Sequence, residues 1–372
     1  MPPLPSLPSL RTWSSGDLVT VPRLRADLEN AVALLAQRPH LIGQCTTGET
    51  FTSANDVVVT LDSELTDSWN AHLAGSADYW APLPGYYLCD ARMPFAYTSS
   101  TPAPFMAGWS GLNNSATIPL THGALTVNGS TSATVIARAV DLLPQTLSGS
   151  PNGSGDLIQP FARQDSGGTV NLGTTPAADL PTVSIRWVSA LTGTQPLPVP
   201  PLTPVPSPIT SAWLNANLRD VIRFLVYPPV MKAHYTAGSS TLASGTLASP
   251  AIVPLTTVDV DTYGAFTTGS SAHYTAPVAG RYFLAGQFNL ATSSTTQWHA
   301  CGLQVNGTTN YWGRISRFAG SALAGGASVT KRLRLNAGDT VALIGTQSSG
   351  SATAYNTTAS NQTRLIAVWE GI

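Results

Sequence analysis

The side chains that could do chemistry in this 372-residue chain are few and scattered. The six histidines (His40, His72, His122, His234, His273 and His299) never fall at the His-x-x-x-His spacing that puts two imidazoles on one metal, so each is read as a packed or surface residue. Gly149–Gly153 and Gly153-Ser154-Gly155 imitate the glycine–serine turn of a nucleophile elbow. Neither lies between a predicted strand and a predicted helix, and both read as loops. Asp259 and Asp261, beside Thr262, offer two carboxylates that Ca²⁺ could use, or form the polar edge of a strand. Trp298, Tyr311 and Trp312 fall near predicted loops, where flat aromatic faces could stack on a sugar ring or pack in a core or between subunits. Asp156 and Asp339 each follow a glycine and read as turn caps. No paired carboxylates and no Ser–His set stand out, so a non-enzymatic protein without a cofactor is expected.

The composition agrees. Charged residues make up 10% of the chain, with 32 glycines, 29 prolines and a net charge of −1. Such a chain has no basic footprint for nucleic acid or anionic lipid. It suits hydroxyl-covered β-sandwiches better than helical bundles. Cys45, Cys89 and Cys301 are too few for a disulfide framework and read as small buried hydrophobes. The N-terminal stretch, rich in proline, has neither the basic nor the apolar region of a signal peptide, and no apolar run has membrane-spanning length. Synthesis in a cytoplasm without membrane insertion is expected.

What must position any site is a duplicated scaffold. At an offset of 190 residues, Leu24, Leu28, Val32, Leu35 and Pro39 meet Leu214, Leu218, Ile222, Leu225 and Pro229. Further on, Tyr79-Trp-Ala-Pro-Leu-Pro-Gly-Tyr-Tyr87 aligns with Tyr274-Thr-Ala-Pro-Val-Ala-Gly-Arg-Tyr282. Gly155-Asp156 and Gln164-Asp-Ser-Gly167 align with Gly338-Asp339 and Gln347-Ser-Ser-Gly350, and the segment around Trp187 with that around Trp369. The order of blocks divides the chain into an N-terminal arm and helix (1–38), a first β domain (39–195), a proline-rich linker (196–208), a second helix (209–227) and a C-terminal β domain (228–372). The linker reads as a semi-rigid polyproline spacer.

In the first helix Val21, Leu24, Leu28, Ala31 and Leu35 step by three and four, and Leu214, Leu218, Val221 and Leu225 repeat the stripe. Two heptads are too short for a free coiled coil, which leaves two readings: each stripe packs on its own β domain, or the stripes meet those of sister chains around a symmetry axis. Beyond the terminating prolines, short period-2 runs separated by Gly, Ser, Thr and Asn read as antiparallel sandwiches, with Asn128-Gly129 and Asn306-Gly307 as hairpin turns.

The order Tyr274-x-Ala-Pro-Val-Ala-Gly-Arg-Tyr-Phe283, then Leu303-Gln-Val-Asn-Gly307, then Leu335-Asn-Ala-Gly-Asp-Thr-Val341 and a terminal hydrophobic strand resembles the C1q/TNF-like jelly roll over about residues 250–372. The first copy keeps Ala81–Tyr87 and Gly155-Asp156, but Pro160 interrupts a strand and residues 90–125 carry extra length. The leader Arg11–Leu28, echoed by Ile209–Asp220, is similar to one found in minor tail and fibre proteins of tailed phages. Together the two resemblances imply an all-β protein of two tandem jelly rolls, each preceded by a short amphipathic helix. They imply a homotrimer with two tiers stacked along a threefold axis, the helices and the spacer setting the distance between tiers. They place the protein in the virion after assembly in the host cytoplasm, as a minor tail or fibre component that contacts other virion proteins and can touch a host-surface glycan. A capsid-attached fibre or decoration protein and a carbohydrate-binding adhesin are the alternatives.

Overall fold

The computed structural model describes residues 20–53, 55–97, 103–113, 116–127, 133–145, 156–173, 180–191, 210–236, 240–290, 297–313, 316–318, 325–355 and 363–371, with isolated positions in the N-terminal arm. The proline-rich linker, Asn128-Gly129 and both glycine–serine loops of residues 149–155 lie outside the described residues.

The chain opens with helix α1 (Val21–Ala36), which begins after an extended Thr20 and carries a proline in its first turn, where a missing N–H costs nothing. Nine main strands follow: β1 (His40–Gln44), β2 (Ser63–Asp67), β3 (Tyr79–Trp80), β4 (Gly85–Tyr97), β5 (Ala103–Asn113), β6 (Ala116–Val127), β7 (Ala133–Gln145), β8 (Leu157–Gln164) and β9 (Thr182–Ser189). After the linker come α2 (Ser211–Leu214), a π turn (Asn215–Arg219) and α3 (Asp220–Val226). The second set of nine is β10 (Val230–His234), β11 (Thr257–Asp261), β12 (His273–Thr275), β13 (Gly280–Leu290), β14 (Gln297–Val305), β15 (Thr309–Trp312), β16 (Gly325–Leu335), β17 (Thr340–Gln347) and β18 (Arg364–Gly371).

The pairings between these strands are antiparallel, and the two units share one topology. The front sheet of the first runs β2-β1-β9-β4-β7 and that of the second β11-β10-β18-β13-β16. The back sheets run β3-β8-β5-β6 and β12-β17-β14-β15. Leaving out the outermost β2 and β11, each unit places strands one, eight, three and six in one sheet and two, seven, four and five in the other. That is the double Greek key of a jelly roll. The first unit keeps it despite Pro160, because the proline sits where its missing N–H is harmless. Its carbonyl accepts from Val59 N, so its amide edge faces away from β5, into the gap between the short strands at Tyr79–Trp80 and Val57–Val58.

The repeated sequence marks are repeated structures. Tyr87 and Tyr282 donate their hydroxyls to the carbonyls of Leu83 and Val278, each at 2.8 Å, and so tie down the Pro-containing turn that enters the long front strand. Trp187 and Trp369 lie over Gly85 and Gly280 and donate their indole N–H to Pro84 and Ala279. The Asn306-Gly307 hairpin has positive φ at both residues, and Asp339 accepts from Asn336 N and Asn306 Nδ2 to cap the adjoining turn.

Gln164 and Gln347 do matching work that the sequence alignment did not explain. Each is buried, donates to two backbone carbonyls (Phe51 and Gly168; Leu242 and Ser351) and accepts from an amide two residues on (Ser166; Ser349). Gln347→Ala strands two buried carbonyls and one amide, so a loss of about 2–3 kcal/mol in unfolding free energy is expected. Gln347→Glu should do no better, because it supplies no donor; urea melts of both variants check this.

The helices settle neither of the two readings as written. Ala31 and Leu34 of α1 are buried in the first core, with Leu28 and Leu35 against it, while Val32 stands 57% exposed. The side chains of Val21 and Leu24 lie outside the described residues. The second helix packs largely on the first unit rather than its own. Ile222 and Val226 enter the first core with Leu218 beside them, while Phe224 enters the second core and Leu225 packs on it. Leu214 is buried and Val221 half-buried. Arg38 caps the Leu225 carbonyl and Ala190 N donates to Val226 O, which pins α3 between the two units. Among the described residues, Leu28, Ala31, Leu35, Leu218 and Leu225 pack within the chain.

Candidate assembly interface

The two units touch directly, so a shared interface, and not the helices and spacer alone, sets the distance between them. Strands β9, β4 and the edge strand β7 of the first unit meet the outer face of the second unit's front sheet. Leu88, Val140, Leu142 and Val188 from the first unit form one buried cluster with Val230, Val260, Phe283, Ala285, Ile366 and Val368 from the second. An edge strand presents unpaired carbonyls, and burying them without partners would cost heavily. Here the second unit supplies cations. Lys232 Nζ reaches the Leu142 carbonyl at 3.4 Å and Arg364 Nη2 the Val140 carbonyl at 3.0 Å.

Between these carbonyls sits Asp141, fully buried. Its Oδ1 is 2.8 Å from Lys232 Nζ and accepts from Leu142 N at 2.7 Å, while Oδ2 is 3.4 Å from Arg364 Nη1. Lys232 and Arg364 are themselves only 8% and 2% exposed. At the rim Glu370 pairs with Arg186 of the first unit and Arg332 of its own, and both guanidiniums lie over the Phe283 ring, at 5.9 Å and 5.3 Å. A cavity of about 20 Å³ beside Arg364, lined also by Arg138, Gln287 and Thr330, has room for one water. Nothing in the sequence pointed to this network: its members are separated by 91 and 223 residues.

The candidates singled out from sequence do not converge. Trp298 and Trp312 are half-buried on the outer side of the second back sheet. Trp312 lies over Gly302, and Trp298 is four residues back on the same face of β14. Tyr311, opposite Leu303, turns inward against the core, so it does not share their surface. Asp259 pairs with His234 at 2.9 Å, and Asp261 accepts from the amides of Tyr263 and Phe266. His72 is held between Glu64 and the Ser76 carbonyl. Among the described residues no three His, Cys, Asp or Glu side chains gather into a metal-holding group. Cys45, Cys89 and Cys301 are buried free thiols, and burial pushes all three thiol pKa values up, Cys89 further through the neighbouring Asp141 charge. No helix among the described residues is long and apolar enough to cross a membrane.

No protein-family model and no curated protein matches the sequence. Among solved structures, the globular domain of zebrafish complement 1qA is similar at 12% identity, over 40% of this chain and 96% of that one, with a TM-score of 0.26. Murine APRIL is similar at 10% identity, over 38% of this chain and 98% of that one, also with a TM-score of 0.26. The class of protein is defined by the strand order itself: an all-β chain of two antiparallel jelly-roll sandwiches whose front sheets meet in one apolar cluster.

Proposed function

We propose that this chain is a non-enzymatic structural subunit of a virion, a minor tail or fibre component of a tailed phage that works as a homotrimer and takes part in host adsorption. The observation that carries the structural role is the joint. Two sandwiches fused through an apolar cluster and a fully partnered buried ion network make a stiff block rather than two beads on a string. The assignment to a phage rests on the leader and its echo before the second helix, and trimerisation on the C1q/TNF-like order of motifs in the second unit. The outward-facing, half-buried Trp298 and Trp312 support adsorption through a glycan, since indole faces stack on sugar rings.

The expected results are a mass of three chains in solution by light scattering and antibody label on the tail in electron micrographs of virions. Trp298→Ala and Trp312→Ala should lower adsorption and leave the mass unchanged. A monomer in solution removes the fibre reading, and label on the capsid moves the protein to the head.

A further inference from the structure

The joint holds one group that an ion network alone does not require. Of the 18 basic residues in the chain, only Lys232 and Lys331 are lysines; the rest are arginines. For a buried ion pair arginine is the residue of choice, because its guanidinium is weakly hydrated and grips a carboxylate with a planar fork. Arg364 already fills that role beside Asp141. Lys232 stands next to it as a compact amine, and an amine can be acylated where an always-protonated guanidinium cannot. The repeat offset of 190 residues puts Ile42 at the place of Lys232 in the first unit, so the jelly-roll scaffold itself does not call for a lysine here.

The reacting groups are already in place. Lys232 Nζ is 2.8 Å from Asp141 Oδ1, with Cγ one covalent bond beyond it, and the Leu142 carbonyl at 3.4 Å holds the amine on that side. Both residues are buried, and the flanking Val140, Leu142 and Val230 belong to the apolar cluster of the joint. Fixing two reactants in one geometry removes most of the entropic barrier to their meeting. A proton passing from Nζ to Oδ1 along the short contact turns the ion pair into amine and carboxylic acid. Burial lowers the cost of that transfer, since it removes two charges from a dry site.

We propose that Lys232 and Asp141 condense into an amide that joins the two units covalently. The amine adds to Cγ, and the charge that builds on Oδ2 faces Arg364 Nη1 at 3.4 Å. Collapse of the tetrahedral centre breaks the Cγ–Oδ1 bond. Oδ1, which carries the first proton and accepts from Leu142 N, takes the second from the nitrogen and leaves as water. One Nζ–Cγ bond forms, one water is lost, and nothing is oxidised or reduced. The cavity beside Arg364 has room for that water. Condensation also relieves the site: one carboxylate faces two cations before it, and Arg364 alone is charged after it. The joint folds as the ion network and the bond follows, closing the linker and second helix inside a covalent loop. This needs neither a trimer nor a virion.

Mass spectrometry of the full chain tests this. The folded parent, held for days at neutral pH and then denatured, is expected one water below its sequence mass, while a chain kept in urea throughout stays at the sequence mass. In the tryptic map residues 139–163 and 224–281 should travel as one branched peptide, because trypsin does not cut at an acylated Lys232. Lys232→Arg keeps a cation on Asp141 and cannot close the bond, so it stays at its own sequence mass. With a protease site placed in the 196–208 linker, the cleaved variant should give two bands on a denaturing gel where the cleaved parent gives one. A folded parent at full sequence mass overturns the bond, as do two bands from the cleaved parent. So does a water loss that also appears in urea or is confined to one peptide, as an internal succinimide leaves it. The measurements on the parent decide the matter even where Lys232→Arg does not fold.

Discussion

Asp141→Ala should cost the joint about 3–5 kcal/mol, the penalty for leaving buried charge uncompensated. Among the described residues the carboxylate is the anion that pairs with both Lys232 Nζ and Arg364 Nη1, and both cations are almost wholly out of water. Removing it leaves two positive groups facing each other across a small void, held only by the Val140 and Leu142 carbonyls. The damage should be local to the joint, because the core of each sandwich is a separate cluster. The expected calorimetric trace therefore changes from one transition to two, and proteolysis yields two resistant halves. The triple variant Asp141→Leu, Lys232→Met, Arg364→Met should recover most of the loss, since well-packed apolar groups often match or exceed a buried ion pair. A single unchanged transition for Asp141→Ala would mean that the apolar cluster alone holds the units together.

That network shows where reading the sequence stops. The jelly-roll signature was legible because its parts are local: Pro-x-x-Gly-x-Tyr closes on itself through the hydroxyl of Tyr87 or Tyr282 within four residues, and Asn306-Gly307 makes its own turn. Duplication amplified the signal, since any mark found in one copy could be sought in the other. Asp141 carries no such local sign. It is the one acid in a largely apolar strand, and its meaning arises from Lys232 and Arg364, which the fold of the other unit brings to it. The helix stripes were only partly legible for a related reason. Periodicity shows that Leu218 and Leu225 want cover but not which surface supplies it. Here the cover is shared, with Ile222 and Val226 going to one core and Phe224 to the other. The outer-sheet aromatics were half legible: alternation along β14 and β15 separates Trp298 and Trp312 from Tyr311 once the register is known, and the register depends on the hairpin at Asn306-Gly307.

The second large effect is expected at Gly280. Its φ is 155°, and a Cβ there would overlap Trp369 Nε1 and come within 2.5 Å of the Gly371 carbonyl oxygen. Neither neighbour can move cheaply. Trp369 packs edge-on against Phe224 at 4.9 Å between ring centroids and donates to Ala279 O, while Gly371 is in the final front strand, opposite Arg281. Gly280→Ala should therefore cost about 3 kcal/mol or more, combining overpacking with an unfavourable backbone conformation. Gly350 separates the two contributions: its φ is 83° with nothing near a built Cβ, so Gly350→Ala should lose only about 1–2 kcal/mol through the backbone alone. The clash has a second signature. In the Trp369→Leu background the indole part of the clash is gone and only the Gly371 carbonyl contact remains, so the double variant should be less destabilised than the two single losses added, a coupling that equilibrium denaturation of the four proteins measures. The same experiment transfers to Gly85 and Trp187, where φ is 156° and a Cβ would lie 2.5 Å from the Ser189 carbonyl oxygen. Equal coupling at both places would show that the glycine–indole contact is a requirement of the fold, kept in both halves while the surfaces around it took on different charges.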